Sequence, residues 1–176
     1  MKTLIIGLGN PILGDDGVGW VVAQGIERQL TSLPPLSAEL RGKWGEPEGG
    51  LEVVCLALAG ISLMEQMIGY ERVILIDSLN TGQHPQGAIV TFTLNELVDL
   101  TYGHSASAHD LSLNNALKLG RSMGAALPAD ENVTIVAIEA AHVYDFTEEL
   151  SPEIAKTVPK MIEAVIKLLV ADQARP

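Results

Sequence analysis

The sequence has few sulfur-containing and few aromatic side chains, and each shortage excludes a class of protein. Cys55 is the single cysteine, so neither an intramolecular disulfide nor a zinc cluster of several thiolates can form. Aromatic residues make up 4% of the 176 residues, whereas hydrophobic residues make up 47%. We therefore expect an aliphatic core of the kind found in sheets covered by helices.

Positive charge is also scarce. The chain has 11 Lys and Arg residues and 22 Asp and Glu residues, and its formal net charge is −11. A protein that binds a phosphate backbone needs a basic face, so this balance argues against nucleic acid as a partner. A basic peptide or a metal-bearing protein is a more plausible partner.

Long apolar runs are absent as well. No run approaches the roughly 18 residues that span a membrane. The first predicted strand begins within two residues of Met1, which leaves no room for a signal peptide. We expect a cytoplasmic protein with no membrane partner. We also expect a monomer, since the chain is long enough to bury a sizeable core and has no heptad pattern.

Five short runs rich in Val and Ile predict strands, and apolar spacing of three and four residues predicts helices between them. The strands are Thr3–Ile6, Leu51–Leu56, Arg72–Ile76, Ala88–Thr93 and Val133–Ile138. The helices include Val18 to Leu30, Leu63 to Met67, Leu113 to Gly120 and Ile154 to Leu169. This alternation is typical of α/β proteins.

The predicted fold class is α/β, as a single three-layer α/β/α domain over residues 1–176. Its mostly parallel five-stranded twisted sheet carries helices on both faces. The strand Ala88–Thr93 follows a turn-rich link instead of a helix, which leaves an antiparallel orientation open. Residues 31–50, rich in Pro and Gly, predict a surface excursion, and residues 171–176 a frayed tail.

The glycine-rich segment Gly7–Gly19, directly after the first strand, is the most informative stretch of the sequence. Ile12 stands where a dinucleotide fingerprint needs its third glycine, and no Gly-Lys-Ser/Thr run exists. The segment instead carries Asp15 and Asp16, which would repel a phosphate. It therefore predicts a cation site or polar catalysis. The alternative is a tight strand–helix turn with glycines at positive φ and an aspartate cap.

Polar side chains recur where predicted strands end, and those ends share one edge of a parallel sheet, where such folds bind ligands. They are Asn10, Asp16, Cys55, Asp77 and Glu139. His109 lies near the start of the third helix. Asp16, Asp77 and His109 could supply three metal ligands, and this donor set suits zinc or nickel better than magnesium. The alternative is three cap and turn residues that never meet.

Two nucleophile hypotheses are weaker. Cys55 could pair with His109, but a lone cysteine at a strand end is more often an apolar filler. The run Gly120–Gly124 matches the pattern of a serine nucleophile elbow, but it lies at the tail of a helix and not at a strand-to-helix turn. We interpret it as a chance match.

The motifs Gly-x-Gly-Asn and Asp-Asp-Gly-x-Gly lie within Gly7–Gly19. Read with Arg72–Asp77, Ser107–Leu113 and Leu150-Ser151-Pro152, they resemble those of the hydrogenase maturation endopeptidases. The order of elements fits over nearly the whole chain. The resemblance implies a metal-dependent, aspartic-like peptidase that removes a C-terminal extension from the large-subunit precursor of a nickel–iron hydrogenase.

By that resemblance Asp16, Asp77 and His109 match the family's metal ligands and are the catalytic residues. The resemblance implies that the metal is nickel and that the substrate brings it, because cleavage follows the insertion of nickel into the precursor. The sequence departs from the family at Cys55-Leu56-Ala57-Leu58, where an acidic turn is usual. Two rival hypotheses are a non-enzymatic nickel chaperone, which this departure favours, and a small-molecule-binding doubly wound domain.

Overall fold

The structure, a computed structural model, describes residues 1–32, 50–96 and 108–171, with the backbone alone at 31–32 and 108–112. Its strands are β1 (Thr3–Leu8), β2 (Leu51–Leu56), β3 (Arg72–Leu79), β4 (Ile89–Thr93) and β5 (Val133–Glu139). Its helices are α1 (Val18–Ser32), α2 (Gly60–Gln66), α3 (Ala108–Ser122) and α4 (Pro152–Ala171). A 3-10 turn, Gly14–Gly17, leads directly into α1.

The strands form one sheet in the order β2-β1-β3-β5-β4. The pairs β1–β2, β1–β3 and β3–β5 are parallel, and β4 is antiparallel to β5. The mostly parallel five-stranded sheet is confirmed, and so is the antiparallel orientation that the turn-rich link allowed. β2 lies on one side of β1 and β3 lies on the other, so the direction in which strands are added to the sheet reverses between β2 and β3. Such a switch opens a crevice at the carboxyl ends of β1 and β3.

Two apolar layers cover the sheet. Because side chains alternate along a strand, Leu75 of β3 faces one layer, and Ile74 and Ile76 face the other. The first layer contains Leu63, Met64 and Met67 of the α2 region and Leu113, Ala116 and Leu117 of α3. The second contains Val18, Val22, Ala23 and Ile26 of α1 and Ile154, Met161, Ile162, Val165 and Leu169 of α4. Helices on both faces are therefore confirmed.

Three strands extend beyond their predicted ends. β1 continues past Ile6 to Leu8, because its backbone pairing with β2 continues through Gly7. β3 continues past Ile76, so Asp77 lies within the strand and does not end it, and β5 includes Glu139. In β3 and β5 the prediction stopped at the first charged side chain, but ladder pairing uses backbone groups only. Asp77 pairs with Ala137 and Leu79 with Glu139.

Most of the predicted excursion (33–49) and of the tail (172–176) lies outside the described residues. In the part of the chain that is described, no helix is long and apolar enough to cross a membrane.

Candidate functional site

Glycines allow α1 to lie directly on the sheet at the β1–β3 crevice. A Cβ at Gly19 would lie 2.2 Å from the Leu8 carbonyl oxygen and 2.5 Å from that of Ile76. Gly9 has a φ of +119°, and a Cβ there would lie 1.8 Å from the carbonyl oxygen of Asp16. These positions exclude any side chain, and this close approach fixes Asp16 at the carboxyl edge of the sheet.

The half-buried carboxylate of Asp16 connects the two strands that border the crevice. Its Oδ2 accepts a hydrogen bond from the Asn10 backbone N–H at 2.6 Å, and its Oδ1 accepts one from Ser78 Oγ at 3.1 Å. A carboxylate oxygen has two lone pairs, so neither bond uses the full capacity of its oxygen. Asp16 is thus oriented by the protein and keeps acceptor capacity for a ligand.

Asp15, the neighbouring carboxylate, has a structural role. It is wholly buried, and its oxygens accept hydrogen bonds from the Ser151 backbone N–H at 2.7 Å and from Ser151 Oγ at 2.9 Å. Ser151 immediately precedes α4, so Asp15 joins the opening loop to the start of the last helix. The sequence did not reveal this role, because the two residues are 136 positions apart.

Asp77 lies on the other side of β3 from Asp16. It is 7% exposed, and its Oδ1 accepts a hydrogen bond from the backbone N–H of Ser78 at 2.8 Å. By strand alternation its side chain shares the face of Leu75 and Leu79, which α2 and α3 cover. The structure thus brings Asp16 against Ser78, the residue adjacent to Asp77.

His109 is the second residue of α3, the helix that packs over the face on which Asp77 lies. Its side chain lies outside the described residues. Among the side chains that are described, no group of three or more His, Cys, Asp or Glu residues could hold a metal ion. The metal site formed by Asp16, Asp77 and His109 stays a prediction.

Glu139 is a buried residue that holds a neighbouring loop in place. It is 4% exposed, and its carboxylate accepts three hydrogen bonds of 2.7 Å, from the backbone N–H groups of Thr81 and Gly82 and from Thr81 Oγ1. These bonds fix the link between β3 and β4 at the carboxyl edge of the sheet. No local sequence signal identifies this role, because the partners lie 57 and 58 positions away.

Cys55 has the surroundings of an unreactive thiol. It is half-buried in β2, and its Sγ lies 3.9 Å from the carbonyl oxygen of Trp20. Burial, and secondarily the negative charge of Glu27, raise the pKa of the Cys55 thiol, so it is neutral near pH 7. This agrees with its interpretation as a bystander.

The serine-elbow match falls at a helix end, as the sequence indicated. α3 ends at Ser122, and Gly124 follows with a φ of +86°. A nucleophile elbow requires a strand before the serine. The structure therefore confirms that Gly120–Gly124 is a chance match.

Comparison with known proteins gives one consistent result. A model of the hydrogenase maturation protease family matches residues 36–168. The hydrogenase 2 maturation protease of Escherichia coli K12 is 23% identical over 173 residues, which cover 97% of this chain and 90% of that protein. The family match begins after the opening motif Gly7–Gly19, so it does not depend on that motif.

Solved structures show the same fold. The hydrogenase maturating endopeptidase HYBD of E. coli superposes with a TM-score of 0.70 at 21% identity, covering 98% of this chain and 94% of that one. The NiFe hydrogenase maturation protease HybD of Thermococcus kodakarensis gives a TM-score of 0.65 at 23% identity, covering 96% and 99%.

Proposed function

Since the chain belongs to the hydrogenase maturation protease family, we propose that it is an endopeptidase that trims the large-subunit precursor of a nickel–iron hydrogenase. It removes a C-terminal extension after nickel has been inserted. The observation that carries this proposal is the oriented carboxylate of Asp16 at the β1–β3 crevice, where open α/β folds bind their ligands.

Asp16, Asp77 and His109 are the proposed ligands of the nickel that the precursor carries. Two carboxylates and an imidazole suit a divalent ion such as nickel. Among the described residues each oxygen of Asp16 accepts one hydrogen bond, which leaves acceptor capacity toward the crevice. The placement of Asp77 on β3, and of His109 at the start of the helix over the same face, also supports this set.

In this mechanism the nickel positions the scissile peptide against the protein. A bound cation polarises a carbonyl or a water molecule, and fixed geometry removes much of the entropic barrier. The chain supplies no serine elbow, and its one thiol is neutral near pH 7, so the attacking group is proposed to be water.

The remaining properties of the proposed enzyme follow from charge and composition. A net charge of −11 supports a protein substrate and no nucleic acid partner. We place the enzyme in the cytoplasm as a monomer. The segment Cys55-Leu56-Ala57-Leu58, which ends β2 and continues beyond it, has no carboxylate, so we propose that this enzyme does without the acid that the family usually has there.

The test is incubation of the pure protein with a nickel-loaded large-subunit precursor, followed by mass spectrometry of the product. We expect loss of a C-terminal peptide. We expect none from the nickel-free precursor and none with His109→Ala.

Two further measurements beside the cleavage assay, nickel binding by the free protein and analysis of any co-purified nucleotide, distinguish the two rival hypotheses. If a verified nickel-loaded precursor stays intact while the free protein binds nickel tightly, the protein is a nickel chaperone. If the protein neither cleaves nor binds nickel but carries a nucleotide through purification, it is a small-molecule-binding domain.

A further inference from the structure

The loop between β5 and α4 presents two aromatic rings to solvent. Tyr144 is 81% exposed and Phe146 is 85% exposed, and they are the most exposed large apolar side chains among the described residues. An aromatic side chain buries about 150–250 Å² when it is covered, so such rings dominate the energetics of interfaces. Tyr144 and Phe146 contribute nothing comparable to the core. We refer to residues 142–149, which contain them, as the docking loop.

The docking loop is fixed to the opening loop beside Asp16. The N–H of Gly14 donates to the carbonyl of Thr147 at 2.7 Å, and the N–H of Asp15 donates to the carbonyl of His142 at 3.0 Å. The N–H of Thr147 donates to the carbonyl of Ile12 at 3.1 Å. The two rings therefore lie on a backbone held at both ends, next to the residue that precedes Asp16. A rigid platform of this kind loses little entropy when a partner binds.

Acidic residues lie between and after the two aromatic residues of the docking loop. Asp145, Glu148 and Glu149 are all exposed. Asp145 Oδ2 lies 2.8 Å from Nδ1 of His142 in the same loop, so Glu148 and Glu149 are the carboxylates that face a partner. A complementary partner therefore has apolar side chains for the two rings and positive charge for Glu148 and Glu149.

We propose that the docking loop binds the large-subunit precursor through a segment that combines apolar residues with Lys or Arg. This proposal rests on the proposed function and extends it. Binding there would hold the precursor beside Asp16 while its C-terminal bond is cut. The two aromatic side chains offer roughly 300–500 Å², and the partly exposed Ile12 adds less than either ring. That area falls short of the ~800 Å² per partner of a stable dimer, so it favours a transient substrate over a second copy of the chain.

The test is the double variant Tyr144→Ser/Phe146→Ser, measured for binding to the nickel-loaded precursor and for cleavage. We expect the Kd and the KM to rise at least about tenfold while kcat stays within about twofold, since losing exposed anchors weakens binding without touching the reacting groups. Circular dichroism of the variant should match that of the wild-type protein.

Met123→Ser is the matched control. Met123 is 78% exposed and directly follows the last residue of α3. The chain then leads to the first residue of β5, so Met123 lies toward the edge of the sheet opposite the docking loop. Its removal should leave both constants unchanged. A second variant, Glu148→Gln/Glu149→Gln, should weaken binding and flatten its dependence on salt.

Each alternative has its own outcome. A double variant that binds the precursor as well as the wild-type protein does would overturn the docking surface, whatever the cleavage result. If the wild-type protein binds the precursor, the double variant does not, and neither cleaves it, the docking surface is supported and the protease function is rejected. Wild-type protein that neither binds nor cleaves rejects both. Concentration-dependent dimers that only the double variant abolishes would assign the surface to a second copy.

Discussion

Asp15 and Asp16 are neighbours in the chain, yet their carboxylates meet different parts of the molecule. Asp15 is enclosed and satisfied by the backbone and hydroxyl of Ser151, at the start of α4. Asp16 is half-buried at the crevice, where Asn10 and Ser78 orient it. The first carboxylate therefore contributes to stability, and the second is available for chemistry.

Replacing each of these aspartates with asparagine separates the two roles. Asp15→Asn should lower the free energy of unfolding by about 1–3 kcal/mol, because a buried amide cannot accept both hydrogen bonds from Ser151. Asp16→Asn should lower it less than Asp15→Asn does, because Asp16 is only half-buried and water can replace a lost hydrogen bond there, and it should abolish precursor processing. Urea denaturation and the mass assay measure the two effects. Normal trimming by Asp16→Asn would contradict the role proposed for this residue.

Cys55 illustrates a residue whose environment removes a possible reactivity. Its raised pKa keeps the thiol neutral near pH 7, and thiolate is the nucleophilic form. We expect Cys55→Ala to process the precursor as the wild-type protein does. We also expect the wild-type thiol to react with iodoacetamide more slowly than free cysteine at pH 7, as followed by mass spectrometry. Loss of processing in Cys55→Ala would restore the thiol as a candidate nucleophile.

At the scale of elements, the contact between α1 and the strands β1 and β3 determines where the crevice opens. It requires a helix face with no side chain at Gly19, since the carbonyl oxygens of Leu8 and Ile76 lie where a Cβ would be. Gly19 of the opening motif is thus required by the packing of α1 on the sheet. A phosphate-binding role is not needed to explain this glycine.

Gly19→Ala should separate α1 from the sheet. Its Cβ would meet backbone atoms that cannot move alone, so we expect a loss of about 3 kcal/mol or more in the free energy of unfolding. Gly25→Ala in the same helix is the control. Its Cβ would approach Ile162 Cδ1, the end of a flexible side chain, so stability should stay within about 1 kcal/mol of the wild-type value. Equal losses in the two variants, measured by thermal unfolding, would argue against backbone packing as the cause.

The elements themselves were largely predictable, because their signals are local. Runs such as Leu51–Leu56 predicted strands, and apolar spacing predicted the helix that contains Leu113 and Leu117. The turn-rich link before β4 even allowed its antiparallel orientation. The ends of β3 and β5 were wrong because ladder pairing continues through charged residues.

At the scale of the whole molecule, the site depends on contacts between distant parts of the chain, and these the sequence could not supply. Asp15 and Ser151 are 136 positions apart, and Asp16 and Ser78 are 62 apart. The sequence identified Asp16 and Asp77 as polar residues at one sheet edge. It could not distinguish the ligand-facing carboxylate from the buried one, because both occupy the same local pattern.

The two apolar layers share one sheet, so we predict that the molecule unfolds as one unit. Leu117, wholly buried in the layer with α2, and Ile154, wholly buried in the layer with α1, test this from opposite faces. Leu117→Ala and Ile154→Ala should each lower the free energy of unfolding by about 2–5 kcal/mol. Because β3 contributes side chains to both layers, the transitions followed by circular dichroism and by tryptophan fluorescence should coincide in each variant. Two separated transitions, with one layer surviving the loss of the other, would divide the chain into two folding units and contradict the single domain.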